Sequence, residues 1–110
     1  MEFALRAIGL YRHLEKQERA ARRLADQFLD SSTSIGANIE EGKAGESRRD
    51  FVHKYGIELK EARESLFWLK LFDAAYFARS NRLVPLIQEA DELVAILTTI
   101  VANTRKNGLN

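Results

Sequence analysis

Three groups of side chains have the types and spacing to carry chemistry in this 110-residue chain. The first is acidic: Glu58, Glu61 and Glu64 recur every three residues, and Glu40 and Glu41 precede them. Bundles that hold two metal ions arrange such glutamates with a Glu-x-x-His pair on each of two helices. The only histidines here are His13 and His53, and neither stands three residues after a glutamate. Thiolate ligand sets are excluded because there is no cysteine. The second group is the hydroxyl run Ser31-Ser-Thr-Ser34. No His or Lys lies one helical turn away to activate it as a nucleophile. Gly36, Gly42 and Gly45 are not preceded by a strand pattern or followed by Gly-Lys-Ser/Thr, so they do not make a phosphate loop. The sequence therefore predicts no catalytic residue, no metal and no cofactor.

The third group is basic. Arg12, Lys16, Arg19, Arg22 and Arg23 gather around one expected helix–helix turn, and Lys43, Arg48, Arg49 and Lys54 around the next. Acids interrupt both clusters, Glu15, Glu18 and Asp26 in the first and Glu46 and Asp50 in the second. Net charge is only +1, from 17 Lys plus Arg against 16 Asp plus Glu, so no global basic field exists to hold a nucleic acid. On charge balance alone these clusters read as a mixed, soluble surface. Repeated around an oligomer, however, a modest patch gains phosphate affinity through multivalency.

These residues must be positioned by helices. One proline and six glycines in 110 residues, with 45% hydrophobic and 30% charged side chains, leave long uninterrupted segments. The first helix is expected over 2–15, where Phe3, Ala7, Leu10, Tyr11 and Leu14 recur at three and four residues. A turn at 16–17 is expected, because one helix from residue 2 to residue 42 would run to about 60 Å. The second helix is expected over 18–41. Its apolar stripe is Leu24, Phe28, Ile35 and Ile39, flanked by a stripe of Gln27, Ser31, Ser34 and Asn38 whose short polar side chains suit close approach to a neighbouring helix or subunit. Gly42 is placed to end it, and Ser47 with Asp50 resembles a capping box for the third helix, 48–78. On that helix Phe51, Tyr55, Ala62, Leu66, Leu69 and Tyr76 form the predicted core face, with Glu58 and Asp73 falling on it and needing partners. Pro85 suits the first turn of a fourth helix over 85–105, with Leu86, Ala90, Leu93, Val94, Leu97, Ile100 and Val101 inward. The expected fold is all-α, an antiparallel up-down-up-down four-helix bundle in a single domain.

The third helix carries a surplus. Ile57, Trp68, Leu71, Phe72 and Ala75 form a second apolar stripe, and from Leu66 to Ala78 only Lys70 and Asp73 break the apolar circumference. A helix apolar on all sides in a small domain implies cover by another chain. An oligomer is therefore expected, with Gln27, Ser31, Ser34, Asn38, Ile57, Trp68, Leu71 and Phe72 at its interface. No apolar run is long enough for a membrane span and no signal-peptide layout opens the chain, so the expected location is the cytoplasm.

Ser34-Ile-Gly-Ala-Asn-Ile-Glu-Glu-Gly42, Ser47-x-x-Asp50-Phe51, Leu59-Lys-Glu-Ala-Arg-Glu-Ser-x-x-Trp-Leu69 and Glu89-Ala-Asp-Glu-Leu93 together resemble the four-helix-bundle family named for proteins encoded in intervening sequences of 23S rRNA genes. Glu58 departs from that pattern, which tends to place a small apolar residue there. The resemblance implies a bacterial cytoplasmic bundle assembling as a ring, typically a pentamer, with no catalytic residues. It also implies kinship with the accessory protein of diversity-generating retroelements, which works with a reverse transcriptase and binds nucleic acid through a basic surface. The function expected is thus a non-enzymatic ring-forming protein that binds RNA or a reverse-transcriptase-type ribonucleoprotein through Arg12, Lys16, Arg19, Arg22, Arg23, Arg48 and Arg49. The alternative is a protein-binding scaffold with no nucleic-acid role.

Overall fold

The described residues form four helices: α1 (Glu2–Leu14), α2 (Arg19–Glu41), α3 (Arg48–Ala74) and α4 (Ser80–Gly108). The structure is a computed structural model that describes residues 2–41 and 48–108, with side chains described for 2–35 and 49–104. Among the described residues there is no strand. The molecule measures 50 × 21 × 21 Å, about two helix diameters across. α3 packs on both α2 and α4, α1 lies along α2, and α1 meets α4 only lightly.

The break expected between the first two helices is present. Lys16 and Gln17 donate backbone hydrogen bonds to the carbonyls of His13 and Leu14, tightening the end of α1 into a turn. Arg22 N–H then donates to the Glu18 carbonyl and opens α2. Gly42 and Ser47, expected to end α2 and cap α3, lie outside the described residues.

The junction between α3 and α4 differs from expectation. α3 stops at Ala74 rather than Ala78, and α4 begins at Ser80 rather than Pro85. Tyr76 adopts φ 59°, in the left-handed region. Tyr76 N–H donates to the Asp73 carbonyl and Phe77 N–H to the Phe72 carbonyl, the pair of bonds that defines a Schellman close. The Phe77 ring lies 6.2 Å from Phe72, supplying the apolar contact that goes with that motif. Sequence periodicity missed it because the position after such a helix end usually holds glycine, and a side chain there costs about 1–2 kcal/mol. Leaving the helical register also removes Tyr76 from the predicted core face: it is 90% exposed. Ser80 Oγ donates to Asp73 Oδ1 at 2.8 Å across the junction, giving Asp73 its expected partner. Pro85 sits inside α4 and leaves the Asn81 carbonyl without its helical donor, on an exposed face where water can bond to it.

Inside, two apolar clusters sit along the rod. Ala7, Leu10, Leu14, Phe28, Leu69, Phe72, Leu83 and Leu86 belong to the first, with Phe28 and Phe72 edge to face at 5.7 Å. Ile35, Leu59, Ala62, Leu97 and Val101 form the second. Between them in sequence, on α2 and α3 respectively, stand Ser31 and Ser65, both buried. Ser65 Oγ donates to Ser31 Oγ at 3.0 Å, and Ser31 Oγ donates to the Phe28 carbonyl. Small hydroxyls let the two helices approach closely while each donor is satisfied. Ser32, Thr33 and Ser34 bond back to carbonyls of their own helix. Glu58, on the predicted core face, is 1% exposed and is not without an interaction partner.

Candidate nucleic-acid interface

The α1–α2 turn gathers the first basic cluster. A groove of about 520 Å³ is lined by Tyr11 of α1, by Glu15 of the turn that follows it, and by Arg19, Arg22, Arg23 and Asp26 of α2. Helical spacing puts Arg19, Arg22 and Arg23 on one flank of α2, and all three are exposed. Tyr11 Oη donates to Asp26 Oδ1 at 2.9 Å. That bond, reinforced by burial and by the charges of Asp26, Glu15 and Asp30, holds the Tyr11 phenol above its usual pKa of 10.0. Asp26 is thus partly engaged by a neutral donor. Among the described residues none of the three arginines is ion-paired, so their charge is available to an anionic partner.

On the other flank of the same turn lies a cleft of about 600 Å³. His13 and Gln17 line one wall, and Tyr76, Arg79, Ser80, Asn81 and Arg82 of the α3–α4 junction line the other. Arg82 Nη2 donates to the Gly9 carbonyl at 3.0 Å, fixing its guanidinium between α1 and α4. Arg79 and Arg82 were not read as functional from sequence, since they stand some 60 residues from Arg19. The signal available was the expected up-down-up-down path, which would bring the first and third connections to one end.

Arg12 and Lys16 are exposed, next in sequence to the lining residues His13 and Gln17, and Arg49 is exposed at the start of α3. The Arg48 side chain lies outside the described residues, as do Lys43 and the side chain of Asn38. Among the described residues no three His, Asp or Glu side chains converge as a metal site. Burial first, then the charges of Glu64 and Asp30, raise the Glu61 carboxyl above 4.5, while Lys60 opposes them. No described helix is long and apolar enough to cross a membrane.

The model of the 23S rRNA-intervening sequence proteins matches residues 1–99. The chain belongs to that family. A crystal structure of a protein of unknown function from the S23 ribosomal protein family of Bacteroides thetaiotaomicron is 35% identical, with a TM-score of 0.81, and the alignment covers 91% of this chain and 92% of that one. No curated protein matches.

In this 23S rRNA-intervening sequence protein the expected oligomer face is only partly a surface. Phe72 is 0% exposed and Ser31 1% exposed, both enclosed by their own chain. Neither can meet another copy. The cause is geometric: at 100° per residue the buried line of α3 drifts along the helix, lying to one side of the expected stripe at Val52 and Leu59, on it at Ala62 and Leu69, and to the other side, toward the stripe read as outward, at Ser65 and Phe72. Trp68 and Leu71 are half-buried, with Trp68 packed on the first cluster and its indole N–H donating to Glu64. Ser34 is half-buried and Gln27 exposed. What remains outward on α3 is Ile57, 39% exposed, and Phe67, 57% exposed, the latter absent from the expected set.

Proposed function

We propose that this chain is a non-enzymatic assembly protein, an up-down-up-down bundle whose copies associate in a ring and bind RNA or a ribonucleoprotein through a basic end repeated in each copy. The observation that carries the reading is that two grooves meet the α1–α2 turn, one lined by Arg19, Arg22 and Arg23, which pair with no acid among the described residues, and the other by the junction arginines Arg79 and Arg82. A monomeric end of this size, still carrying Glu15, Glu18 and Asp26, binds weakly; a ring of copies multiplies it. The family's link to 23S rRNA intervening sequences supports an RNA-related role. Ile57, Phe67, Trp68 and Leu71 supply the apolar contact between copies. Titrating structured RNA at low and moderate salt tests the reading. Arg22→Glu with Arg23→Glu should weaken binding and flatten the salt dependence, each lost phosphate contact lowering the slope by roughly 0.7–0.9. Absent binding, or binding indifferent to that double change, defeats it.

The exposed Phe67 favours a second reading, a scaffold that grips another protein through α3. A pull-down that survives nuclease and high salt separates the two.

A further inference from the structure

Tyr76 combines a strained backbone with an exposed side chain. It occupies a left-handed position where glycine would be unstrained, and at 90% exposure its ring gains almost nothing from burial. Its backbone is nonetheless firmly held, by the two bonds that close α3, by Phe77 against Phe72, and by Ser80 to Asp73. The outcome is an aromatic ring presented to solvent from a rigid mount at the rim of a cleft. That rim also carries His13, Arg79 and Arg82, and none of the described residues lining the cleft is acidic.

Resting on the RNA-binding reading above, we infer that Tyr76 is a stacking platform for an unpaired base of single-stranded RNA. Arg79 takes the adjoining phosphate, while Arg82, already oriented by the Gly9 carbonyl, adds charge at the same wall. An aromatic face beside arginines suits an unpaired base, because every base has a π-face and the backbone follows the cations. A duplex keeps its base faces covered, so it gains only the charge. The ligand class is therefore single-stranded RNA, or the unpaired loop of a folded one.

The test uses fluorescence anisotropy of a labelled single-stranded oligoadenylate and of a blunt RNA duplex, against the intact protein, Tyr76→Gly, Tyr76→Phe, and Arg22→Glu with Arg23→Glu. Tyr76→Gly relieves the left-handed strain, so it should melt no lower than the intact protein. It should nonetheless bind the single strand about 5- to 150-fold more weakly, the range that loss of one stacked base gives, and bind the duplex unchanged. Tyr76→Phe keeps the ring and should bind like the intact protein. If Tyr76→Gly leaves single-strand binding intact while the double arginine change weakens it, the stacking platform is refuted and the RNA-binding reading stands. Equal losses on single strand and duplex also refute stacking. If the intact protein binds neither RNA, both readings fall.

Discussion

Replacing Phe72 with alanine separates a core role from an interface role. The ring is fully enclosed, edge-on to Phe28 at 5.7 Å and 6.2 Å from Phe77. Emptying such a site costs about 3–5 kcal/mol, of which the edge-to-face pairing with Phe28 supplies about 0.5–1.5 kcal/mol. Against a total stability of about 5–15 kcal/mol, that is a severe loss from one side chain. With a urea slope of about 2 kcal/mol/M, the unfolding midpoint of Phe72→Ala should fall by roughly 2 M. Because the contacts lie within one chain, that fall should be the same at low and high protein concentration. Phe67→Ala, on the same helix but 57% exposed, should lose less than about 1 kcal/mol. Phe72→Ala together with Phe28→Ala should cost less than the sum of the two, since the second change removes a ring that has already lost its partner. A loss below about 1 kcal/mol for Phe72→Ala, accompanied by a smaller assembly in light scattering, would refute the core assignment and return Phe72 to an intersubunit face.

Glu61→Gln should raise the melting temperature at pH 7, with the gain shrinking toward pH 4. The folded carboxyl sits above 4.5, so its contribution is present below that pH and is lost as pH rises through the folded value; a gain that does not vary with pH contradicts this. Arg6→Ala removes the ion pair with Glu89 that ties α1 to α4. Because the Arg6 side chain is about half exposed, chemical denaturation should show a loss below about 1 kcal/mol that shrinks further in high salt. Ser31→Val should destabilise by about 1–3 kcal/mol in the same assay, since it withdraws the acceptor from buried Ser65 and widens the α2–α3 contact; a neutral result would mean that the close approach is not needed.

Much of the bundle was legible because α1, α2 and α4 each bury one clean stripe. Ala7, Leu10 and Leu14, then Ala21, Ala25, Phe28 and Ile35, then Leu86, Ala90, Leu97 and Val101 recur with helical spacing and are inside. α3 was harder. A polar carboxylate at Glu58 and a hydroxyl at Ser65 lie on its buried face, while Phe67 lies outside, so the periodicity that separates inside from outside is weakened; Ala62 and Leu69 are inside as expected, but Phe72, at the edge of the drifting stripe, is not legible as core. The end of α3 was illegible for another reason: tyrosine stands where a sequence reader looks for glycine. The basic end was half legible. Arg19, Arg22 and Arg23 are neighbours in sequence, but Arg79 and Arg82 share a cleft with His13 and Gln17 of the same turn only in the folded chain.

Ser31 and Ser65 also act as a key between α2 and α3. Two helices meeting through side chains of one size can slip lengthwise by a turn and pack nearly as well. Here a slip would set the large side chain of Phe28 or Ile35, the neighbours of Ser31 one turn away, against Ser65 in place of a small hydroxyl. It would also separate the two oxygens now 3.0 Å apart. The notch therefore fixes the axial alignment of α3, and with it how far the junction carrying Tyr76 and Arg79 stands from the arginines of α2.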